Sequence, residues 1–154
     1  MNFIKKHLKN ERGLTLIELL AVVVILGIIA AIAIPSIGGL INNSKKDAHI
    51  ANAQQMVSGA RTAVAGNDIE FSGTTTITGE ITLEDLKAKG YIEDVDNPSG
   101  DKYDDDETKV TITKDSDTGN LTYVVTLIKD SHNYVKSDER TKTPSELKRE
   151  DINL

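Results

Sequence analysis

The chain has 154 residues, a formal net charge of −6 and no cysteine. This length allows one compact domain plus an appendage, and the lack of cysteine excludes a disulfide-stapled domain. The first 13 residues hold four basic side chains and one acidic side chain, which leaves a net charge of −9 on residues 14–154. Since such an acidic body repels phosphates, we expect no direct binding of nucleic acid.

The first element is an apolar run from Leu14 to Ile34 that follows the basic leader, residues 1–13. Its length suffices for a membrane-spanning helix, and the basic leader predicts a cytoplasmic amino terminus. One carboxylate, Glu18, lies inside the run. Because a charge in hydrocarbon costs roughly 2.5 to 3.5 kcal/mol, Glu18 requires removal, protonation or a partner. We expect that partner to be an amine.

Two other interpretations account for the same apolar run. The sequence Ala31-Ile32-Ala33 fits a secretory signal peptide cut after Ala33, which would release a soluble domain. An uncleaved single-span anchor is the second alternative. Both leave Glu18 without a partner, and helix-compatible sequence continues far beyond Ala33.

The junction Gly13-Leu14-Thr15-Leu16-Ile17-Glu18-Leu19-Leu20 resembles the class III leader junction of type IV pilins and related pseudopilins. The resemblance implies that a prepilin peptidase cuts between Gly13 and Leu14 and methylates the new amino terminus at Leu14. The family usually has phenylalanine at that position, so Leu14 departs from the pattern. The resemblance also implies that Glu18 pairs with the amino terminus of a neighbouring subunit. Such a pair neutralises two charges together, because the new α-amino group is cationic near neutral pH.

Helical spacing of apolar residues continues after the apolar run. It predicts one helix from Leu14 to about Val64, with a transmembrane and assembly half at 14–35 and an amphipathic half at 36–66. Gly66-Asn67-Asp68 predicts its end. The apolar residues at helical spacing in the second half of this helix are Ile37, Leu40, Ile41, Ile50, Ala53, Val57, Ala60 and Val64.

Gly27 and Pro35 mark the weakest part of this predicted helix. Pro35 lacks an amide hydrogen and its ring crowds the carbonyl of Ala31, while Gly27 adds backbone freedom. We therefore expect the helix to bend here; the alternative is that Pro35 ends the span. The resemblance to pilins implies that helical order between Gly27 and Pro35 is lost on assembly.

The carboxy-terminal domain, residues 67–154, is predicted to hold a short helix and a small sheet. Thr82 with Asp85 three residues later is a capping-box pattern, and Gly90 supplies a stop. The segment 86–92 also resembles a stretch common in Gram-positive pilin-like proteins. The polar connector before the short helix can hold a short strand around Thr76–Thr78. Strand signals at Lys109–Thr113 and Leu121–Ile128 predict a hairpin, and a third strand at Asn133–Lys136 is predicted to complete a small antiparallel sheet.

The predicted fold class is α+β, with a long amino-terminal α-helix whose apolar first half protrudes. Its second half packs against the small antiparallel β-sheet, which is the pilin fold that the resemblance implies. At the end of the chain, Thr143-Pro144-Ser145-Glu146 predicts a capping box that opens a short helix. The charge density from Ser137 onward predicts a solvated tail.

Candidate metal and catalytic groups are few. Asp115, Asp117 and Asn120 offer oxygen ligands for Ca²⁺ in one turn, but their spacing matches no EF-hand and a hydrated acidic loop is favoured. His49 and His132 lack a ligand or triad pattern and are predicted to lie on the surface. Because the sequence contains no phosphate loop, HExxH pair or GxSxG elbow, we expect neither enzymatic activity nor a cofactor.

The leading hypothesis is a structural subunit of a type IV pilus-like filament. It is inserted once in the cytoplasmic membrane as a prepilin with its amino terminus inside, and then becomes part of an extracellular filament on the cell surface. The implied partners are identical or homologous pilin subunits, the prepilin peptidase and the pilus assembly platform. The alternatives are a pseudopilin of a competence or type II secretion apparatus and, from another class, a secreted binding domain cut after Ala33.

Overall fold

A computed structural model describes residues 4–74, 76–136 and 142–154, with side chains from Thr15 onward. Backbone contacts divide the chain into two units, Met1–Ile41 and Asn42–Leu154. The elements in chain order are α1 (Ile4–Ala65), β1 (Ile77–Thr82), α2 (Leu83–Ala88), β2 (Lys109–Lys114), β3 (Leu121–Thr126), β4 (Ile128–Lys129), β5 (His132–Asn133) and a 3₁₀ turn at Arg149–Asp151.

Helix α1 confirms the predicted long helix and begins ten residues before Leu14, within the leader. It continues through Pro35, so the alternative that Pro35 ends the span is wrong. Because Pro35 has no N–H, the carbonyl of Ala31 loses its usual helical donor. One residue later, the hydroxyl of Ser36 donates to the carbonyl of Ile32 at 3.2 Å. The helix ends after Ala65, where Asn67 has a φ of 58°.

The core of the unit Asn42–Leu154 lies between the second half of α1 and a three-stranded antiparallel sheet of order β1-β2-β3. Register pairs Ile81 with Val110 and Val110 with Val125, so these apolar side chains occupy one face. The predicted hairpin of β2 and β3 is confirmed. The helix contributes buried residues Ala53, Met56, Val57, Ala60 and Ala63 to this core.

The prediction that Asn133–Lys136 forms the third strand of this sheet is wrong. The third strand is β1, and β5 pairs instead with β4 in a separate two-stranded ladder. Asp130 and Ser131 have φ values of 48° and 65° and turn the chain sharply between β4 and β5. This tight turn pairs the residues after β3 with each other, away from the edge of the main sheet.

The predicted cap of α2 is confirmed. The hydroxyl oxygen of Thr82 accepts a hydrogen bond from the backbone N–H of Asp85 at 3.1 Å. Gly90, with a φ of +73°, ends the helix in a conformation that favours glycine. The N–H of Tyr91 then donates to the carbonyl of Leu86 at 2.9 Å.

The end of the chain is folded, which corrects two predictions. The backbone N–H of Thr143 donates to the carboxylate of Glu146 at 2.9 Å, but this box closes a turn and no α-helix follows. Leu147 and Ile152 are buried, and Arg149 holds Asp47 through two hydrogen bonds of 2.6 Å. The tail over 142–154 is therefore not a solvated segment; the predicted part at 137–141 lies outside the described residues.

His49 is fully buried, so its prediction as a surface residue is wrong. Its Nδ1 lies 2.6 Å from the hydroxyl of Tyr103, and its Nε2 lies 2.8 Å from the hydroxyl of Ser99. Its ring stacks on Tyr134 with centroids 4.1 Å apart. A neutral imidazole has one donor and one acceptor nitrogen, which matches one hydroxyl at each side.

Burial, together with the charges of His132 and Lys45, lowers the pKa of His49 to about 4. The same burial raises the pKa of the Tyr103 hydroxyl above its ordinary value. Both members of this pair therefore stay neutral over the physiological range. A proton on His49 would place an uncompensated cation inside the domain.

This arrangement predicts a loss of stability in mild acid. Because the pKa of His49 is lower in the folded chain, its contribution is complete above pH 6.5 and is lost as pH falls toward 4. We expect the free energy of unfolding to fall by about 2 kcal/mol between pH 7 and pH 4.5. Thermal unfolding of the detergent-solubilised chain, followed by tyrosine circular dichroism, measures it. His49→Gln should remove most of this pH dependence, whereas the exposed control His132→Gln should retain it. Equal profiles for all three would contradict the assignment.

Gly59 lies where α1 approaches Leu86 of α2 and Ile92 of the segment that follows α2. A Cβ built on Gly59 would lie 2.5 Å from Cγ2 of Ile92 and 3.3 Å from Cδ2 of Leu86. We expect Gly59→Ala to destabilise the domain by about 1 kcal/mol, since overpacking outweighs the gain in helix propensity. Ser58→Ala, on the exposed side of the same turn, is the matched control and should change the free energy of unfolding by less than about 0.5 kcal/mol. Urea denaturation of both variants measures the difference, and a Gly59→Ala protein more stable than the Ser58→Ala protein would refute the tight contact.

Candidate functional site

The candidate site is the amino-terminal part of α1, where a carboxylate is surrounded by aliphatic side chains. From Leu16 to Ile41 the large aliphatic residues are exposed in the single chain, with exposed fractions between 49% at Ile41 and 69% at Leu40. Glu18 is also exposed. Within the side chains that the structure describes, no basic group forms an ion pair with Glu18. The helix thus presents an apolar surface that contains one acid.

Gly13 and Leu14 lie within α1, and the side chain of Leu14 is outside the described set. Glu18 follows Leu14 by four residues, which is about one helical turn or 6 Å along the axis. An amino terminus created at Leu14 would therefore lie one turn from Glu18 on the same side of its own helix.

The glycines of this segment are not required by packing within the chain. A Cβ built on Gly27, Gly38 or Gly39 would meet nothing within 4 Å. Small residues in an apolar helix allow close approach of a second helix. Gly27 and Pro35 both lie in continuous helix in the single chain, so the predicted loss of helical order concerns the assembled state alone.

An 18-residue stretch inside Thr15–Ala65 is long and apolar enough to cross a membrane, judged by length and composition alone. Signal sequences and core helices of soluble proteins pass the same test. A core helix is mostly buried, whereas none of this stretch is buried. The exposure therefore favours lipid or other helices as its surroundings.

The acidic turn between β2 and β3 is closed by its own hydrogen bonds. Oδ1 of Asp115 accepts from the backbone N–H groups of Asp117 and Thr118 at 3.1 and 2.7 Å and from the Thr118 hydroxyl at 2.8 Å. These bonds, led by the Thr118 backbone, lower the pKa of Asp115. Over residues 15–74, 76–136 and 142–154, no group of three or more His, Cys, Asp or Glu side chains could hold a metal ion. The side chain of Asp115 thus closes the turn.

Sequence reasoning missed the buried histidine cluster, although a signal was present. His49 precedes Ala53 by four residues and Met56 by seven, which places all three on one face of α1. Ala53 and Met56 are both fully buried. Helical periodicity extended one turn toward the amino terminus would have placed His49 inside the domain.

Residues 8–34 match the family model for the prokaryotic N-terminal methylation motif. The matched range contains Gly13, Leu14, Glu18 and Gly27 and ends one residue before Pro35. No solved structure matches the chain at a significant level.

Curated relatives include fimbrial proteins of two organisms. A fimbrial protein of Pseudomonas aeruginosa is 34% identical over 100 residues, which cover 60% of this chain and 65% of the relative. A fimbrial protein of Neisseria meningitidis serogroup B is 32% identical over 93 residues, which cover 58% of this chain and 52% of the relative. The chain thus spans between about half and 65% of the length of these relatives. The methylation motif and these two relatives confirm the predicted resemblance of this chain to the type IV pilins.

Proposed function

We propose that this chain is a structural subunit of a type IV pilus-like filament, processed by a prepilin peptidase and assembled through packing of its amino-terminal helix. The observation that carries the proposal is the exposed aliphatic surface from Leu16 to Ile41, which lies largely within the methylation motif and contains Glu18. An apolar surface of this extent requires either lipid or other apolar helices around it.

In the proposed function the helix is surrounded first by lipid and then by the apolar helices of other subunits. As a prepilin it crosses the cytoplasmic membrane once, with the basic leader inside. After cleavage between Gly13 and Leu14, the helix leaves lipid and packs against the helices of identical or homologous subunits on an assembly platform. The filament then lies on the cell surface.

Glu18 gives this packing its register. A carboxylate inside an apolar bundle is strongly unfavourable without a partner, and the amino terminus of a neighbouring copy supplies one. A subunit docked one turn too high or too low leaves both charges unpaired. Between Gly27 and Pro35 the helix loses order on assembly, since Pro35 has already removed one hydrogen bond there.

The role is mechanical rather than enzymatic. A pseudopilin of a competence or secretion apparatus would share the same helix and the same processing. The similarity to proteins named as fimbrial supports the pilus assignment over that alternative.

The amino terminus of the mature protein tests the proposed processing. Intact mass and terminal sequencing of the chain from its native cell should show a start at Leu14 with one added methyl group. The motif match supports this outcome, and the cationic methylated amine retains its charge for pairing. A start at Ile34 would establish the secreted domain instead, and a start at Met1 would establish an uncleaved anchor.

Removal of the carboxylate at Glu18 tests the proposed pairing. We expect Glu18→Ala to reduce the yield of sheared filaments by at least about tenfold, because the buried amine of the neighbour is left unpaired. The membrane-held subunit should accumulate normally on immunoblots of the same cells.

Glu70→Ala is the matched control for that experiment, since it removes an exposed carboxylate from the unit Asn42–Leu154. Filament yield of the control should equal that of the unaltered chain. Normal filaments from Glu18→Ala would remove the pairing role while leaving the processing assignment intact.

A further inference from the structure

A cavity of about 250 Å³ opens on the surface of the unit Asn42–Leu154, between α1, β3 and the turn at Thr143–Ser145. The apolar part of its lining, which we call the apolar wall, includes Val57, Leu121 and Pro144. The lining also includes the polar residues Arg61, Ser58 and Ser145. The cavity therefore combines a short apolar surface with one cationic group and hydrogen-bonding groups.

Arg61 differs from the other described arginine of this domain in its surroundings. Arg149 is fully engaged by Asp47, whereas no carboxylate of the described residues lies within ion-pair distance of Arg61. The guanidinium of Arg61 rests over the ring of Tyr123, with its central carbon 5.2 Å from the ring centroid. This cation–π contact fixes the planar group while leaving its edge donors free to bind a ligand.

Glu146 directly follows the lining residue Ser145 in the sequence, but its carboxylate already accepts hydrogen bonds within its own turn. It accepts hydrogen bonds from the backbone N–H and the hydroxyl of Thr143, both at 2.9 Å. These bonds, with the backbone one as the larger cause, lower the pKa of Glu146. Glu146 is not part of the cavity lining, and among the described residues that form the lining Arg61 is the only charged one.

We propose that this cavity, which we call the Arg61 pocket, binds a carboxylate carried on a short aliphatic stem. The planar guanidinium matches the two oxygens of a carboxylate, and the apolar wall accommodates the methylene groups that lead to it. A phosphate dianion fits less well, because one guanidinium compensates only part of its charge beside an apolar wall. The volume is below that of typical drug-sized sites and suits a single side chain or a small acid.

Two sources can supply this chemistry: an acidic side chain of a second copy, or a free small carboxylic acid. The chain carries 24 acidic residues against 18 basic ones, and its hairpin turn at Asp115–Asn120 exposes acidic side chains. The binding site itself does not depend on filament formation, so it can be tested on the single chain.

The test uses the arginine Nε–H region of nuclear magnetic resonance spectra of the full chain in detergent micelles. The chain has four arginines, so the signal of Arg61 can be assigned with Arg61→Gln. The probe is N-acetylglutamate N-methylamide, and its neutral analogue N-acetylglutamine N-methylamide is the control. We expect a saturable shift of the Arg61 signal with the acid and at least about tenfold weaker binding of the amide.

Variants separate a formed pocket from general attraction to positive charge. Arg61→Lys keeps the charge but loses the planar fork, and it should weaken binding of the acid by about tenfold. Lys148→Gln removes an exposed cation outside the pocket and should leave binding unchanged. The Arg149 signal is an internal control that should not shift.

The source is resolved by competition between glutarate and an acetylated peptide with the sequence of residues 114–120. Tighter binding of the peptide at the Arg61 signal identifies a second copy as the ligand, and tighter binding of glutarate identifies a free acid. The proposal fails if the acid produces only a linear, unsaturated shift, if the amide binds equally well, or if the Arg61 and Arg149 signals shift alike.

Discussion

Exposure of an aliphatic helix surface between Leu16 and Ile41 is the constraint on which the other features of this chain depend. Water cannot surround such a surface at equilibrium, because each buried Val, Leu or Ile side chain gains about 1.5 to 3 kcal/mol over an exposed one. Lipid tails and neighbouring helices are both acceptable surroundings, and the transfer between them changes little apolar free energy. Polar features must therefore decide where the helix resides and how it docks. The basic leader and Glu18 hold all the charged side chains of residues 1–41.

The same helix serves a second purpose in the unit Asn42–Leu154. There its apolar residues face the sheet, with Ala53, Met56 and Ala60 fully buried. The change from an all-round apolar surface to a single stripe falls where Asn42, Asn43 and Ser44 enter the sequence. Small residues at Ala60 and Gly59 let the helix approach its neighbours, and Ile92 fills the space that a side chain at Gly59 would need. Packing replaces the disulfide that the chain lacks.

Local patterns in the sequence predicted much of this fold. The helix, the cap at Thr82 and the β2–β3 hairpin all depend on residues within a few positions of each other, and each is confirmed. The choice of the third strand depends on a long-range pairing between β1 and β2, which periodicity alone cannot distinguish from a pairing of β5. The tail was likewise mispredicted, because its charges suggested hydration while Ile152 and Arg149 make contacts with residues far earlier in the chain.

The candidate site could be predicted from the sequence because its residues lie within one short stretch, from Gly13 to Glu18. The Arg61 pocket and the His49 cluster could not be predicted in this way, since each brings together side chains separated by more than 40 positions in the sequence. Counting charged residues predicts the sign of the domain's net charge. It does not predict which groups form ion pairs with each other.

Ion pairs within the domain occupy several of its cations, whereas Arg61 contacts an aromatic ring instead. Lys87, Lys109 and Lys129 each contact a carboxylate of the same domain. These partly exposed pairs contribute little to stability individually, but they occupy cations that a neighbouring acidic copy could otherwise meet. Domains with net negative charge repel each other at the short distances of a filament, and the repulsion weakens with salt over a Debye length of about 8 to 10 Å. An incoming carboxylate then gains the most favourable interaction energy at a cation that is unpaired inside a pocket. In the filament that we propose, helix packing supplies the apolar contacts of assembly, and Glu18 and Arg61 are the groups that we propose to select the register and the approach of a second copy.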